Sequence, residues 1–202
     1  MLQMSGDSLL ASGWLGRALA ADAAPKKVLY FTKSAGFEHS VVQRPEGQLS
    51  HSEKILIEIG KRHGFEVTAS KDGGVFDGEH KNYDAYVFYT SGDLTTAGTD
   101  KQPPMSAAGK QALLDAVKAG KGFLGIHAAT DSFRESSGAG KIDPYIAMVG
   151  GEFLTHGEQQ KARMTVVNPE FPGLKTLGEG FDLLDEWYAQ KNFANDLHVL
   201  LV

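Results

Sequence analysis

Gly120-Lys-Gly-Phe-Leu-Gly-Ile-His-Ala-Ala-Thr-Asp-Ser-Phe133 is the stretch whose reading decides the fold. Gly120 stops a preceding helix. The short apolar run Phe123 to Ile126, with Gly122 and Gly125 as its bounds, reads as a fully buried strand of a parallel sheet. At its carboxyl end His127 is followed by Ala128, Ala129 and Thr130. Small neighbours let the chain turn sharply and leave the central side chain pointing into the crevice above the sheet. That is the logic of a nucleophile elbow, with an imidazole in place of a hydroxyl or thiol. The same residues also fit a strand-end histidine that merely hydrogen-bonds a loop. The local pattern leaves both readings open.

Upstream of the elbow, Val28 to Thr32 reads as a first strand. The loop Lys33 to Ser40 is polar and lies where open α/β sheets bind ligands. The spacing of Leu49, Leu56, Ile59 and His63 predicts a helix over 46–63, stopped by Gly64, with His51 and His63 at the surface. A second strand is predicted over 65–70. The polar connection 71–84 carries a solvated His80, and a third strand covers 85–90. Ser91-Gly-Asp-Leu-Thr95 then forms another crevice loop. Ser106 is an N-cap for the helix that carries Ala112, Leu113, Ala116 and Val117.

Downstream, 135–140 reads as a flexible connection and Pro144 to Val149 as a short helix. Glu152 to Gly157 places Phe153 in the core and leaves His156 in a loop. Single strands are expected over 163–167, 181–188 and 198–202. Short strands alternating with helices predict an α/β domain over 26–202. Its expected form is a flavodoxin-like, doubly wound, mostly parallel sheet with helices on both faces.

The chain of 202 residues is long enough for one such domain. Residues 1–25 stand apart from it. Their Ala/Leu-rich run is too short to span a bilayer, and Ala18-Leu-Ala20 and Ala21-Asp-Ala23 fit the small-x-small cleavage pattern. The expectation is a leader and an exported, periplasmic protein; the alternative is a disordered tail on a cytoplasmic one. Met1 to Ser8 holds no Lys or Arg, so the leader is expected to begin upstream of Met1. The net charge of −5 argues against nucleic acid as partner, and no segment suits membrane insertion. The absence of Cys excludes thiol catalysis, disulfides and thiolate metal sites.

The elbow sequence, together with Gly36-Phe-Glu-His-Ser40, Met148-Val-Gly-Gly-Glu-Phe153 followed by His156, and Asp185-Glu-Trp-Tyr188, resembles the ThuA-like (trehalose utilisation) family. That family belongs to the class I glutamine-amidotransferase-like superfamily. The resemblance runs from about Lys27 to the end of the chain. It implies that His127 stands where amidotransferases carry a catalytic cysteine, and that glutaminase chemistry is absent. It also implies that related chains continue beyond the apolar end His198 to Val202, so the expectation is either a truncated chain or a shortened member of the family.

The polar residues placed after strands or in long loops form one candidate constellation. His127, His156 and Glu186 are the candidate catalytic residues. His39, Ser40, Ser91, Asp93, Thr130, Asp131 and Tyr188 are the candidate substrate-binding residues. Imidazoles and a carboxylate can relay protons near neutral pH or hold a divalent metal. A divalent metal on His39, His127, His156 and Glu186 is therefore the candidate cofactor, and no other is expected. Asp131 could instead cap the next segment, and Glu186 could be the exposed residue of an edge strand. The resemblance implies a small-molecule carbohydrate as partner. The expected activity is that of a sugar isomerase, hydrolase or lyase using histidine-based proton transfer. A sugar-binding module and an interaction domain with a decayed site are the alternatives, and a homo-oligomer is a candidate assembly.

Overall fold

The computed structural model describes residues 24–134 and 140–202. The leader expected over residues 1–25 lies outside these apart from its last two residues, and the flexible connection lies outside apart from Gly140. Four parallel strands form the centre: β1 (Lys27–Phe31), β2 (Glu66–Ser70), β3 (Ala85–Phe88) and β4 (Gly122–Gly125), in the order β2-β1-β3-β4. Three α-helices accompany them: α1 (His51–His63), α2 (Ala107–Lys118) and α3 (Pro144–Val149).

Alternation along the strands assigns the helices to faces. Leu29, Phe31, Tyr86 and Phe88 are fully buried in one cluster with Leu113 of α2 and Tyr145 and Ile146 of α3. Ala69, Tyr30, Val87 and Leu124 form a cross-strand row on the other face. There α1 packs so closely that a Cβ on Gly60 would meet Val67 at 2.9 Å.

That second row corrects the expectation of a fully buried elbow strand. Tyr30 and Val87 are 2% and 7% exposed, but Leu124 is 54% exposed. The reason is position. β4 and β2 are the two edge strands, and α1 covers β1 and β2 but does not reach β4. The core is thus complete on the α2 side and open on the other beneath the elbow.

The helix expected from Glu46 starts later. Pro45–Gly47 is a separate 3₁₀ turn, and α1 begins after Ser50, which forms a reciprocal capping box with Glu53. Gly64 closes the helix at φ 76°. Ser106 caps α2 and Asp143 caps α3 as their side chains permit. His80 is not solvated: it is 6% exposed and packs on the Phe76 ring.

The chain beyond α3 departs most from a simple parallel sheet. β5 (Glu152–His156) pairs antiparallel with β8 (Tyr188–Lys191), and β6 (Gln160–Thr165) with β7 (Gly180–Asp185). His156 therefore ends a strand and does not lie in a loop. The single strand expected over 181–188 is two strands separated at Glu186 and Trp187. The expected last strand reduces to a bridge between Val166 and Leu201. Among the described residues no helix is long and apolar enough to cross a membrane.

Candidate active site

Three loops leave the carboxyl ends of β1, β3 and β4 side by side. They continue the parallel ladder past the strands through the bridges Ser34–Ser91 and Gly92–Ser132. The amide of Ala35 donates to Ser91 O at 2.8 Å, and that of Phe133 to Gly92 O at 3.0 Å. Gly92 has φ 74°, and a Cβ there would lie 2.3 Å from the nitrogen of Gly36. Only glycine permits that approach. The loops are thereby locked into one frame, and β4 delivers His127 into it.

His127 itself has φ 48°, a left-handed backbone outside glycine. It opens a 3₁₀ turn, His127–Asp131, whose Ala128 and Ala129 are buried. Small residues fit there because Tyr145 reaches in, its hydroxyl donating to Ala129 O at 3.1 Å. A sharp, strained turn holding one polar side chain over the sheet is the elbow that the sequence pattern suggested.

Around the imidazole the structure gathers residues from three other parts of the chain. His39 meets it edge to face, ring centroids 4.6 Å apart. The Tyr188 hydroxyl hydrogen-bonds His127 Nε2 at 3.0 Å. Glu186 places Oε2 3.8 Å from His127 Nε2 and 4.0 Å from His156 Nε2. His156 stacks on the Tyr188 ring at 5.5 Å, and its Nδ1 donates to Gly157 O at 2.8 Å. The break between β7 and β8 is what turns Glu186 and Tyr188 toward the elbow.

Burial lowers the His127 pKa, and the carboxylates of Asp185 and Glu186 oppose that shift only in part. Burial lowers His39 as well, reinforced by the neighbouring His127. Both rings are thus neutral at neutral pH. Burial raises Tyr188, with Glu186 next in effect, so its phenol keeps its proton.

His39, His127, His156, Glu186 and Tyr188 come together. Asp131 lies near enough to add to the rise in the Tyr188 pKa, and the remaining candidates stand apart from the cluster. Ser91 is buried and donates to Phe37 O at 2.6 Å, bracing the first loop. Asp93 accepts from the amide and hydroxyl of Thr95, an Asx turn. Ser40 lines a neighbouring cavity. Asp131 pairs with Arg134 three residues on. The Thr130 hydroxyl is buried with no partner among the described residues.

Three aromatic residues complete the cluster without a polar signal in the sequence. Tyr89 packs against both His39 and His127, with its pKa pushed up to about 12 by burial. Phe153 packs on Tyr188 at 4.4 Å. Phe37 leans on His39 at 4.9 Å while remaining 71% exposed. Their signal was adjacency to a strand end or to a site residue, which aromatic residues of a core share.

Among the described residues no three His, Asp or Glu side chains are arranged to hold a metal ion. The Glu186 carboxylate sits between two imidazole nitrogens at non-bonded distances, and Nε2 of His127 is engaged by Tyr188. The set in this arrangement suits proton chemistry better than ligation.

The crystal structure of a ThuA-like protein from Bacteroides uniformis superposes with a TM-score of 0.65 at 21% identity. The match covers 94% of this chain and 71% of that one. A ThuA-like protein from Parabacteroides merdae gives 0.63 at 17%, covering 88% and 67%. At these identities the likeness is one of fold. No curated protein matches the chain. The ThuA model, described as trehalose utilisation, matches residues 27–202, and the chain belongs to that family.

Proposed function

We propose that this protein acts on a sugar carrying a carbonyl group, a keto-sugar or a disaccharide derivative, by removing a proton from the carbon beside that carbonyl. The observation that carries the reading is the neutral His127 ring, held on a strained elbow with the Tyr188 hydroxyl 3.0 Å from its Nε2. A substrate oxygen entering the crevice would take over the phenol's hydrogen bond. That frees the Nε2 lone pair to accept the proton. The C–H electron pair passes into the enediolate, whose oxygen receives the Tyr188 hydrogen bond. Glu186, 3.8 Å from Nε2, stabilises the imidazolium formed. The exposed Phe37 ring offers an apolar face against which a sugar ring can lie.

The test is hydrogen exchange at carbon. A panel of keto-sugars and oxidised disaccharides is incubated with the protein in D2O, and deuterium incorporation is followed by NMR. The expected result is incorporation next to the carbonyl, abolished in His127→Ala. Binding of sugars without exchange or product would favour a binding module, and absence of both would overturn the carbohydrate reading.

A further inference from the structure

A cavity of about 830 Å³ opens beside the histidine cluster, on the far side of the β1–α1 loop. His39 has an extended backbone, φ −63° and ψ 141°. Successive side chains of an extended segment point to opposite sides. His39 accordingly faces His127, whereas Glu38 and Ser40 line the cavity. One stretch of loop walls two concavities.

The lining divides into two polar groups. At one end Lys71, 1% exposed, donates to Glu38 Oε1 at 3.0 Å and to Asp100 Oδ2 at 2.8 Å. The single Lys71 charge offsets these two carboxylates only in part; the second oxygen of Glu38 can accept from a hydroxyl, and Asp100 Oδ1, which already accepts from the Gln102 amide at 3.1 Å, keeps one lone pair to do the same. At the other end stand Arg44, His51 and Lys54, beside the start of α1. Arg44 is preorganised. Its Nε lies 3.1 and 2.9 Å from the two oxygens of fully buried Glu53, and its Nη2 lies 2.8 Å from Oε1. Glu53 is fixed in turn by Thr32 at 2.6 Å and the Ser50 amide at 2.9 Å. That bonding uses one edge of the guanidinium. Nη1 has no partner among the described residues, and Lys54 makes no ion pair among them.

A guanidinium clamped along one edge, with its other donors turned to a cavity, is suited to read an oxyanion. The positive end of the α1 dipole adds to the same field. We propose that this cavity binds a small polyhydroxylated molecule bearing a carboxylate or phosphate. The acid group would sit on Arg44 and Lys54, with His51 alongside, and the hydroxyls on Glu38, Asp100 and Ser40. The site does not depend on any chemistry at His127.

Calorimetric titration with glucuronate, glucose 6-phosphate, neutral glucose and inorganic phosphate tests this and separates the two acid groups. Glucuronate or glucose 6-phosphate should bind about tenfold or more tightly than glucose. The tighter of the two identifies the acid group. Lys54→Gln, a change at an exposed residue, should weaken that binding about tenfold. Arg44→Lys keeps a charge opposite Glu53 but loses the fork, and should weaken it further. His127→Ala should leave it unchanged, which separates this site from the proposed proton-transfer centre. Equal affinity for glucose, or no effect of both Lys54→Gln and Arg44→Lys, would overturn the proposal. So would inorganic phosphate binding as tightly as glucose 6-phosphate, since that marks an anion site blind to the sugar.

Discussion

At His127 two demands meet in one residue: a left-handed backbone and a ring. The backbone strain and the ring's contacts can be measured separately. His127→Ala removes the ring and keeps φ positive for a side-chain-bearing residue. His127→Gly removes both. The glycine variant is expected to be about 1 kcal/mol more stable than the alanine variant in urea unfolding, with neither active. Equal stability would mean that the turn stores no strain. Tyr188→Phe deletes one hydroxyl and little packing, and should lower turnover of the proposed substrate by about 10²-fold while leaving the unfolding midpoint nearly unchanged. That His39, His127, His156, Glu186 and Tyr188 could converge was legible in part from position, since His127 follows a buried strand, and in part only from the family resemblance that drew in His39 and His156. Ser91 and Asp93 also follow a strand and yet brace loops, since short polar side chains bond nearby backbone as readily as ligand. Tyr89 was not legible, because an aromatic residue closing a strand looks like core whichever way it faces.

Among the elements, the three crevice loops behave as one because of single close approaches. Gly92→Ala would drive a methyl to 2.3 Å from the Gly36 nitrogen in a backbone region hostile to alanine. A loss of about 1–3 kcal/mol is expected, together with reduced activity although no site side chain changes. Unaltered activity in a destabilised Gly92→Ala protein would show that the loops hold the site independently of each other. The central strands β1 and β3 were readable as apolar runs, since strands covered on both faces leave little room for polar residues, whereas β2, Glu66-Val-Thr-Ala-Ser70 at one edge, was readable from its alternation. β4 reads like β1 and β3 and yet lies at the other edge, for a run of four residues says nothing about how many neighbours the strand has. The antiparallel pairs β5–β8 and β6–β7 were hidden for another reason. Their half-exposed residues alternate weakly, and pairing between residues 15 to 39 positions apart leaves no local trace.

For the molecule as a whole, the histidine cluster ties stability to pH. Burial holds His39 and His127 below 6.5, the value each has when exposed. The unfolded chain therefore binds more protons than the native one as pH falls through about 6.5. The contribution is fully present above that value and is lost on acidification toward the lower native pKa values. Thermal midpoints should fall between pH 7 and pH 5, and the fall should be shallower in the His39→Gln/His127→Gln double variant; an identical slope would place the titrating groups elsewhere. The edge position of β4 reaches further than exposure. Its Gly122 and Ile126 amides donate inward, to Asp84 O at 3.0 Å and Phe88 O at 2.8 Å. In a parallel ladder the amides between them, Phe123 and Gly125, point away from β3, where no described strand receives them. Solvent deuterons should therefore replace the Phe123 and Gly125 protons quickly, and the Ile126 proton only when β4 parts from β3. The exchange lifetime of that one amide, next to the elbow, is a clock for how often His127 leaves its frame.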